Sequence, residues 1–266
     1  MGWANVAGLP GFDMLITRTQ PFMSTEHNPS YLSSKPLNGV SLSLPGGQVT
    51  VHITVIEVEV AYSVVLDLVP GLHAVPPVLP DAETEAPVPP PGGYDFIFHI
   101  GQGGEGHIAL ETLAHQTGYE IPDVRNEQAP KMPSRKRGEK VPRGAGPAYD
   151  DFENELTTEI DVQKLVKFLR LVRMQLHCQD SVHETDIYTQ TDDNIQQSFD
   201  PGRYLCDFIF YCSLAEAQRK SLRPTGVSAK VLFMHVPPAG VPHTLGEMTD
   251  TIRKVVSWVA LNHITV

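Results

Sequence analysis

The chain has 266 residues, 41% hydrophobic and 19% charged, enough to bury a substantial core, and it reads as one domain over 1–266. Its net charge of -11 repels a phosphate backbone over most of the surface, which excludes a general nucleic-acid binder. Three cysteines, Cys178, Cys206 and Cys212, are an odd number at spacings that suit neither a disulfide framework nor a tetrahedral zinc site, so reduced thiols and a cytoplasmic location are expected.

The N-terminus lacks the basic start and apolar run of a signal peptide, and no stretch reaches the roughly 18 apolar residues of a membrane span. Between Val49 and Val60 apolar and polar residues alternate with a small phase slip, predicting a strand, and Ala61 to Ala74 follows as a short helix. A second strand is expected at Tyr94 to Ile100. It is apolar on both faces, as in a buried central strand, and a glycine-rich turn from Gly101 to Gly106 ends it.

Asp161 can cap a helix from Val162 to about Leu176, where Val162, Leu165, Val166, Leu169 and Val172 recur at helical spacing. A largely internal helix covers Tyr204 to Arg219, a strand covers Lys230 to Val236, and Thr244 with Glu247 forms a capping box for a C-terminal helix. Strands alternating with helices predict an α/β three-layer sandwich, helices on both faces of a mostly parallel sheet. Two stretches interrupt it and are expected as surface insertions: the proline-rich 76–93, and 129–151 with its cluster of lysines and arginines.

The segment Asp200-Pro201-Gly202-Arg203-Tyr204-Leu205-Cys206-Asp207-Phe208 carries the most chemistry, because a turn leads directly into a buried helix with a cysteine near its start. Helix-terminal amides, the helix dipole and Arg203 all favour a thiolate there. The strength depends on the start: a cap at Asp200 leaves Cys206 in the second turn, whereas a turn persisting to Gly202 leaves it in the first. Cys212, six residues on, fits a packing role, as does Cys178.

A thiol nucleophile needs a base, and His235 ends an apolar strand just before Pro237-Pro238. A carboxylate that orients the imidazole completes such a set, and Glu111 is the candidate. One rival arrangement exists: His107, Glu111 and His115 would share a face of a continuous helix as metal-ligand types. No His-Glu-x-x-His motif accompanies them, and alternating Ile108 and Leu110 suit a strand equally well, so no metal site is expected.

Taken together, these segments resemble pyroglutamyl peptidase I, a cysteine peptidase family that removes N-terminal pyroglutamyl residues. Gly202-Arg203-Tyr204-Leu205-Cys206-Asp207-Phe208 is similar to its nucleophile segment, His235-Val236-Pro237-Pro238 to its histidine motif and Ile108-Ala109-Leu110-Glu111 to its glutamate strand. The resemblance implies Cys206 as nucleophile, His235 as base and later acid, and Glu111 as orienting carboxylate. It further implies an open α/β/α sandwich, peptides with N-terminal pyroglutamate as partners, and no metal or organic cofactor.

By the same resemblance Phe22, Thr19, Asn28, Gln102 and Leu205 would line the substrate pocket. The family's N-terminal motif reads Thr-Gly-Phe-x-Pro-Phe-Gly; here it is Thr17-Arg18-Thr19-Gln20-Pro21-Phe22-Met23, which keeps one aromatic and replaces the other by Thr19. Losing that ring contact would weaken lactam binding by roughly 1 kcal/mol. The glycine-rich loop up to Glu111 is one residue short of the family's, and Glu120 stands before Ile121-Pro122-Asp123 where many members carry an arginine that helps polarise the substrate carbonyl. A related cysteine amidohydrolase with another N-terminal specificity, or a non-catalytic binding protein on the same fold, are the alternative readings.

Overall fold

The computed structural model describes residues 11–19, 28–44, 47, 49–80, 88–134, 141–180, 194–222, 228–240 and 242–263, without the side chains of 19 and 174–180. A seven-stranded sheet organises them, with strand order β2-β3-β1-β4-β9-β5-β8. The strands are β1 (Gly11–Thr19), β2 (Ser41–Ser43), β3 (Thr50–Val58), β4 (Phe96–Gln102), β5 (Ile108–Glu111), β8 (Ile195–Ser198) and β9 (Lys230–Val236). A separate two-stranded sheet pairs β6 (Leu113–His115) with β7 (Glu155–Thr157).

The helices are α1 (Pro29–Ser34), α2 (Tyr62–Leu72), α3 (Val162–Asp180), α4 (Leu205–Ser221) and α5 (Leu245–His263). β3, β1, β4 and β9 run parallel, β5 pairs antiparallel with β9, and β8 runs parallel to β5. The sheet is therefore mostly parallel, as expected, with its direction reversed at β5.

Alternation along each strand sorts side chains onto two faces. On β4, Phe96, Phe98 and Ile100 pack into the core under α3 and α5, with the Phe96 and Phe98 rings stacked at 5.4 Å. Ile97 belongs to the opposite core, under α2 and α4. Every β4 residue from Phe96 to Gly101 is buried, which is why this strand reads as a continuous apolar run. On β9, Leu232, Met234 and Val236 face one core while Val231 and Phe233 face the other. Each such buried side chain contributes roughly 1.5–3 kcal/mol.

The capping signals work as their chemistry requires. Thr244 Oγ1 accepts from the Glu247 amide at 3.2 Å while Glu247 Oε2 accepts from the Thr244 amide at 2.7 Å, so two otherwise orphan donors are satisfied at the start of α5. Asp161 accepts from the Lys164 amide at 3.0 Å before α3.

Within 129–151 both flanks are tied down: Lys131 bridges Arg143, Gly144 bridges Thr117, and Ala129, Met132, Ala145 and Tyr149 are buried. Small and apolar residues punctuating the basic run anchor its ends. Residues 135–140 and 81–87 lie outside the described residues.

Candidate active site

Cys206, His235 and Glu111 come together on the sheet face covered by α4. His235 sits near the end of β9, where it is in register with Gly101 on one side and Ala109 on the other. Glu111 is two residues beyond Ala109 on the antiparallel neighbour, so both side chains project from the same face at diagonal positions. His235 Nδ1 donates to Glu111 Oε1 at 2.8 Å. The carboxyl is buried, and Oε2 has no hydrogen-bond partner among the described residues. The Phe233 ring, 4.8 Å from the imidazole and tilted 52°, walls the pair.

The thiol arrives from α4. The helix begins at Leu205 with Tyr204 as its cap, so Cys206 is in the first turn and the later of the two possible helix starts is the one adopted. Glycine at 202 makes this possible with a positive φ of 87°, while Asp200 closes the turn by accepting from the Gly202 amide at 3.1 Å. Before Phe208 N–H, the first to bond back within the helix, the amides of the first turn have no intrahelical acceptor.

Arg203 acts differently from the sequence expectation. Its guanidinium pairs with the Asp200 carboxylate at 2.8 Å, so its charge is not directed at the thiol alone, and it lies 3.7 Å from the buried Asp207 carboxyl.

Burial works against a charge on His235, yet Cys206, through its charge and a side-chain hydrogen bond, and Glu111 raise the imidazole pKa to about 10. The ring thus holds its proton at neutral pH beside a half-buried sulfur. Two glycines leave room for both groups. A Cβ at Gly101 would stand 2.9 Å from Cys206 Sγ, and one at Gly103 would stand 2.9 Å from His235 Cβ.

The other nominated residues are distributed less uniformly. Gln102 ends β4 exposed beside Val236, and Leu205 is buried at the first position of α4. Asn28 is buried and caps α1, its Oδ1 accepting from the Ser30 amide at 2.9 Å and the Ser30 hydroxyl at 2.7 Å. Thr19 ends β1 and Phe22 lies outside the described residues.

His107, Glu111 and His115 do not share a helix face: they lie before β5, in β5 and in β6, and their partners are Gln196, His235 and Asp207. Cys212 is fully buried and burial pushes its thiol far up, as suits packing. Sequence reasoning passed over Asp207, a buried carboxyl next to Cys206. An acidic residue inside the aromatic run Tyr204 to Tyr211 was the available signal.

A doubly covered α/β sheet thus brings a thiol, an imidazole and a carboxyl together on one face. No protein-family model matches the chain. It is 24% identical over 244 residues to pyroglutamyl-peptidase 1 of Mus musculus and to that of Homo sapiens, an alignment covering 91% of this chain and 87% of each relative.

Among solved structures, pyroglutamyl peptidase I of Bacillus amyloliquefaciens matches with a TM-score of 0.62 at 17% identity, over 96% of this chain and 100% of that one. A mutant pyrrolidone carboxyl peptidase of Pyrococcus furiosus matches at 0.60 and 17%, with the same coverages. The chain is thus similar to pyroglutamyl-peptidase 1 over most of its length and has the fold of pyroglutamyl peptidase I.

Proposed function

We propose that this chain is a cysteine peptidase that removes N-terminal pyroglutamyl residues from peptides. The observation that carries the reading is the convergence of Cys206 and Glu111 on the two sides of one imidazole, His235. The similarity to pyroglutamyl-peptidase 1 over 91% of the chain supplies the substrate class.

In this reading the Cys206 thiolate attacks the carbonyl carbon of the pyroglutamyl residue, and the carbonyl electron pair moves onto oxygen. The first-turn amides of α4, which lack an intrahelical acceptor, would serve as donors to the developing oxyanion, each such donor being worth about 3 kcal/mol in related chemistry. His235, oriented by Glu111, gives its proton to the departing amine as the C–N bond breaks, leaving a thioester. Water activated by His235 then releases pyroglutamate and restores the thiol. The partners are peptides bearing N-terminal pyroglutamate. The location is cytoplasmic, supported by the odd cysteine count; among the described residues no helix is long and apolar enough to cross a membrane.

Hydrolysis of a pyroglutamyl-linked fluorogenic amide by the purified protein, beside Cys206→Ala, tests the proposal. Cleavage is expected from the first and none from the second. Thr19 in place of an aromatic residue favours a second reading, altered N-terminal specificity on the same apparatus, and cleavage of other aminoacyl amides in place of the pyroglutamyl one would select it.

A further inference from the structure

Asp207 is fully buried and directly follows Cys206 in α4. Its Oδ1 accepts from the backbone amide of His115 at 3.0 Å, its Oδ2 lies 3.1 Å from His115 Nδ1, and the Tyr119 hydroxyl is 3.3 Å from Oδ2. Tyr119 also donates to the His115 carbonyl, closing a ring of contacts between α4 and the segment that begins at β6. His115 is four residues downstream of Glu111, so one side chain joins the turn that carries the thiol to the strand segment that follows the orienting carboxyl.

We propose that Asp207 is a positioning residue for Cys206: its carboxyl pins the first turn of α4 to β6 and so holds the thiol at the His235–Glu111 pair. The proposal rests on the cysteine-peptidase reading and deepens it. Asp207 acts in its proton-bearing form, with Oδ2–H donating to His115 Nδ1 while Oδ1 accepts from His115 N–H.

The charges around the group agree with that form. Burial raises the Asp207 pKa to about 8 despite Arg203 at 3.7 Å, and burial with Arg203 lowers that of His115, so the two make a neutral hydrogen bond rather than an ion pair. Asp200 beside Arg203 and Glu155 on β7 add negative charge, while Tyr119 and Cys212, both pushed up by burial, stay neutral.

Asparagine reproduces this geometry, with Oδ1 as the acceptor and Nδ2 as a donor to His115 Nδ1 and the Tyr119 oxygen. The test measures alkylation of Cys206 by iodoacetamide from pH 5 to 10, located by peptide mapping, in wild type, Asp207→Asn, Asp207→Ala, Asp207→Glu and His235→Ala. Circular dichroism checks the fold of each. Asparagine is expected within about threefold of wild type, whereas alanine and glutamate, which delete or displace the clamp, slow the reaction at least about tenfold, toward the His235→Ala level. If alanine does not fold, glutamate alone decides.

Wild type should also show an inflection near pH 8 that is absent from Asp207→Asn. Wild-type reactivity in folded Asp207→Ala or Asp207→Glu while His235→Ala is slow overturns the proposal and leaves the peptidase reading standing. A rate for Asp207→Asn as low as for alanine, or an unchanged pH profile, also overturns it. Equal reactivity of wild type and His235→Ala removes the triad itself and the proposal with it.

Discussion

His235 meets opposing influences: burial disfavours its charge, while Cys206 and Glu111 favour it strongly enough to hold the proton to about pH 10. Glu111→Gln keeps an acceptor for Nδ1 but removes the charge. It should lower kcat/KM by about 10²–10⁴, the range seen when the orienting carboxylate of a triad is neutralised, and shift the alkaline limb of the pH profile downward. Steady-state kinetics from pH 6 to 10.5 read both effects. Gly101→Ala tests the space around the thiol, since its Cβ would meet Sγ and the Phe233 ring, both at 2.9 Å. A displacement of this size should cost about 10² in kcat/KM.

Legibility at this scale followed motif strength. The thiol, imidazole and carboxyl stood in segments specific enough to be found in one sequence. Asp207 did not, because a buried acid is recognisable only once His115 and Tyr119 are seen to surround it. Nor did Gly101, whose role depends on a sulfur 105 positions away in the chain (206 − 101 = 105).

Among elements, those with clean periodicity were read closely: β3, β4, β9 and the helices α3, α4 and α5 all form within a few residues of the expected spans. β1 was missed as a strand. Leu15 and Ile16 are buried on opposite faces, which blurs the alternation that marks a half-exposed strand. β8, Ile195-Gln196-Gln197-Ser198, is a short edge strand with one apolar residue, so its sequence carries almost no signal.

The reversal at β5 also escaped, since direction depends on pairing partners rather than local pattern. The α5 capping box gives a prediction independent of catalysis. Thr244→Ala should lower unfolding free energy by about 1 kcal/mol in urea titrations while leaving kcat/KM unchanged.

Across the whole molecule, stability should respond to pH through buried groups outside the triad. His73 donates to or accepts from Ser213 at 2.8 Å, His99 does the same with Thr17 at 2.6 Å, and burial lowers both pKa values from 6.5 to about 3. The unfolded chain therefore takes up protons that the folded chain refuses. Their contribution is complete above pH 6.5 and is lost as pH falls toward 3.

Asp207 has the opposite sign. Its folded pKa of about 8 lies above the ordinary 3.8, so its contribution is complete below pH 3.8 and is lost as pH rises through 8. Thermal midpoints should fall on acidification from pH 6.5 to 4, and fall more steeply in Asp207→Asn, where the offsetting group is gone. Scanning calorimetry of both proteins across pH 4–8.5 checks the difference.

The antiparallel β5–β9 pairing joins Glu111 to His235 across 124 residues of chain. A slip of β5 by one residue would turn Glu111 to the opposite face and leave the imidazole without its acceptor. Correct pairing of two strands distant in sequence is therefore a condition for turnover, and refolding protein should recover hydrolysis only when the amides of β5 and β9 acquire protection from hydrogen exchange.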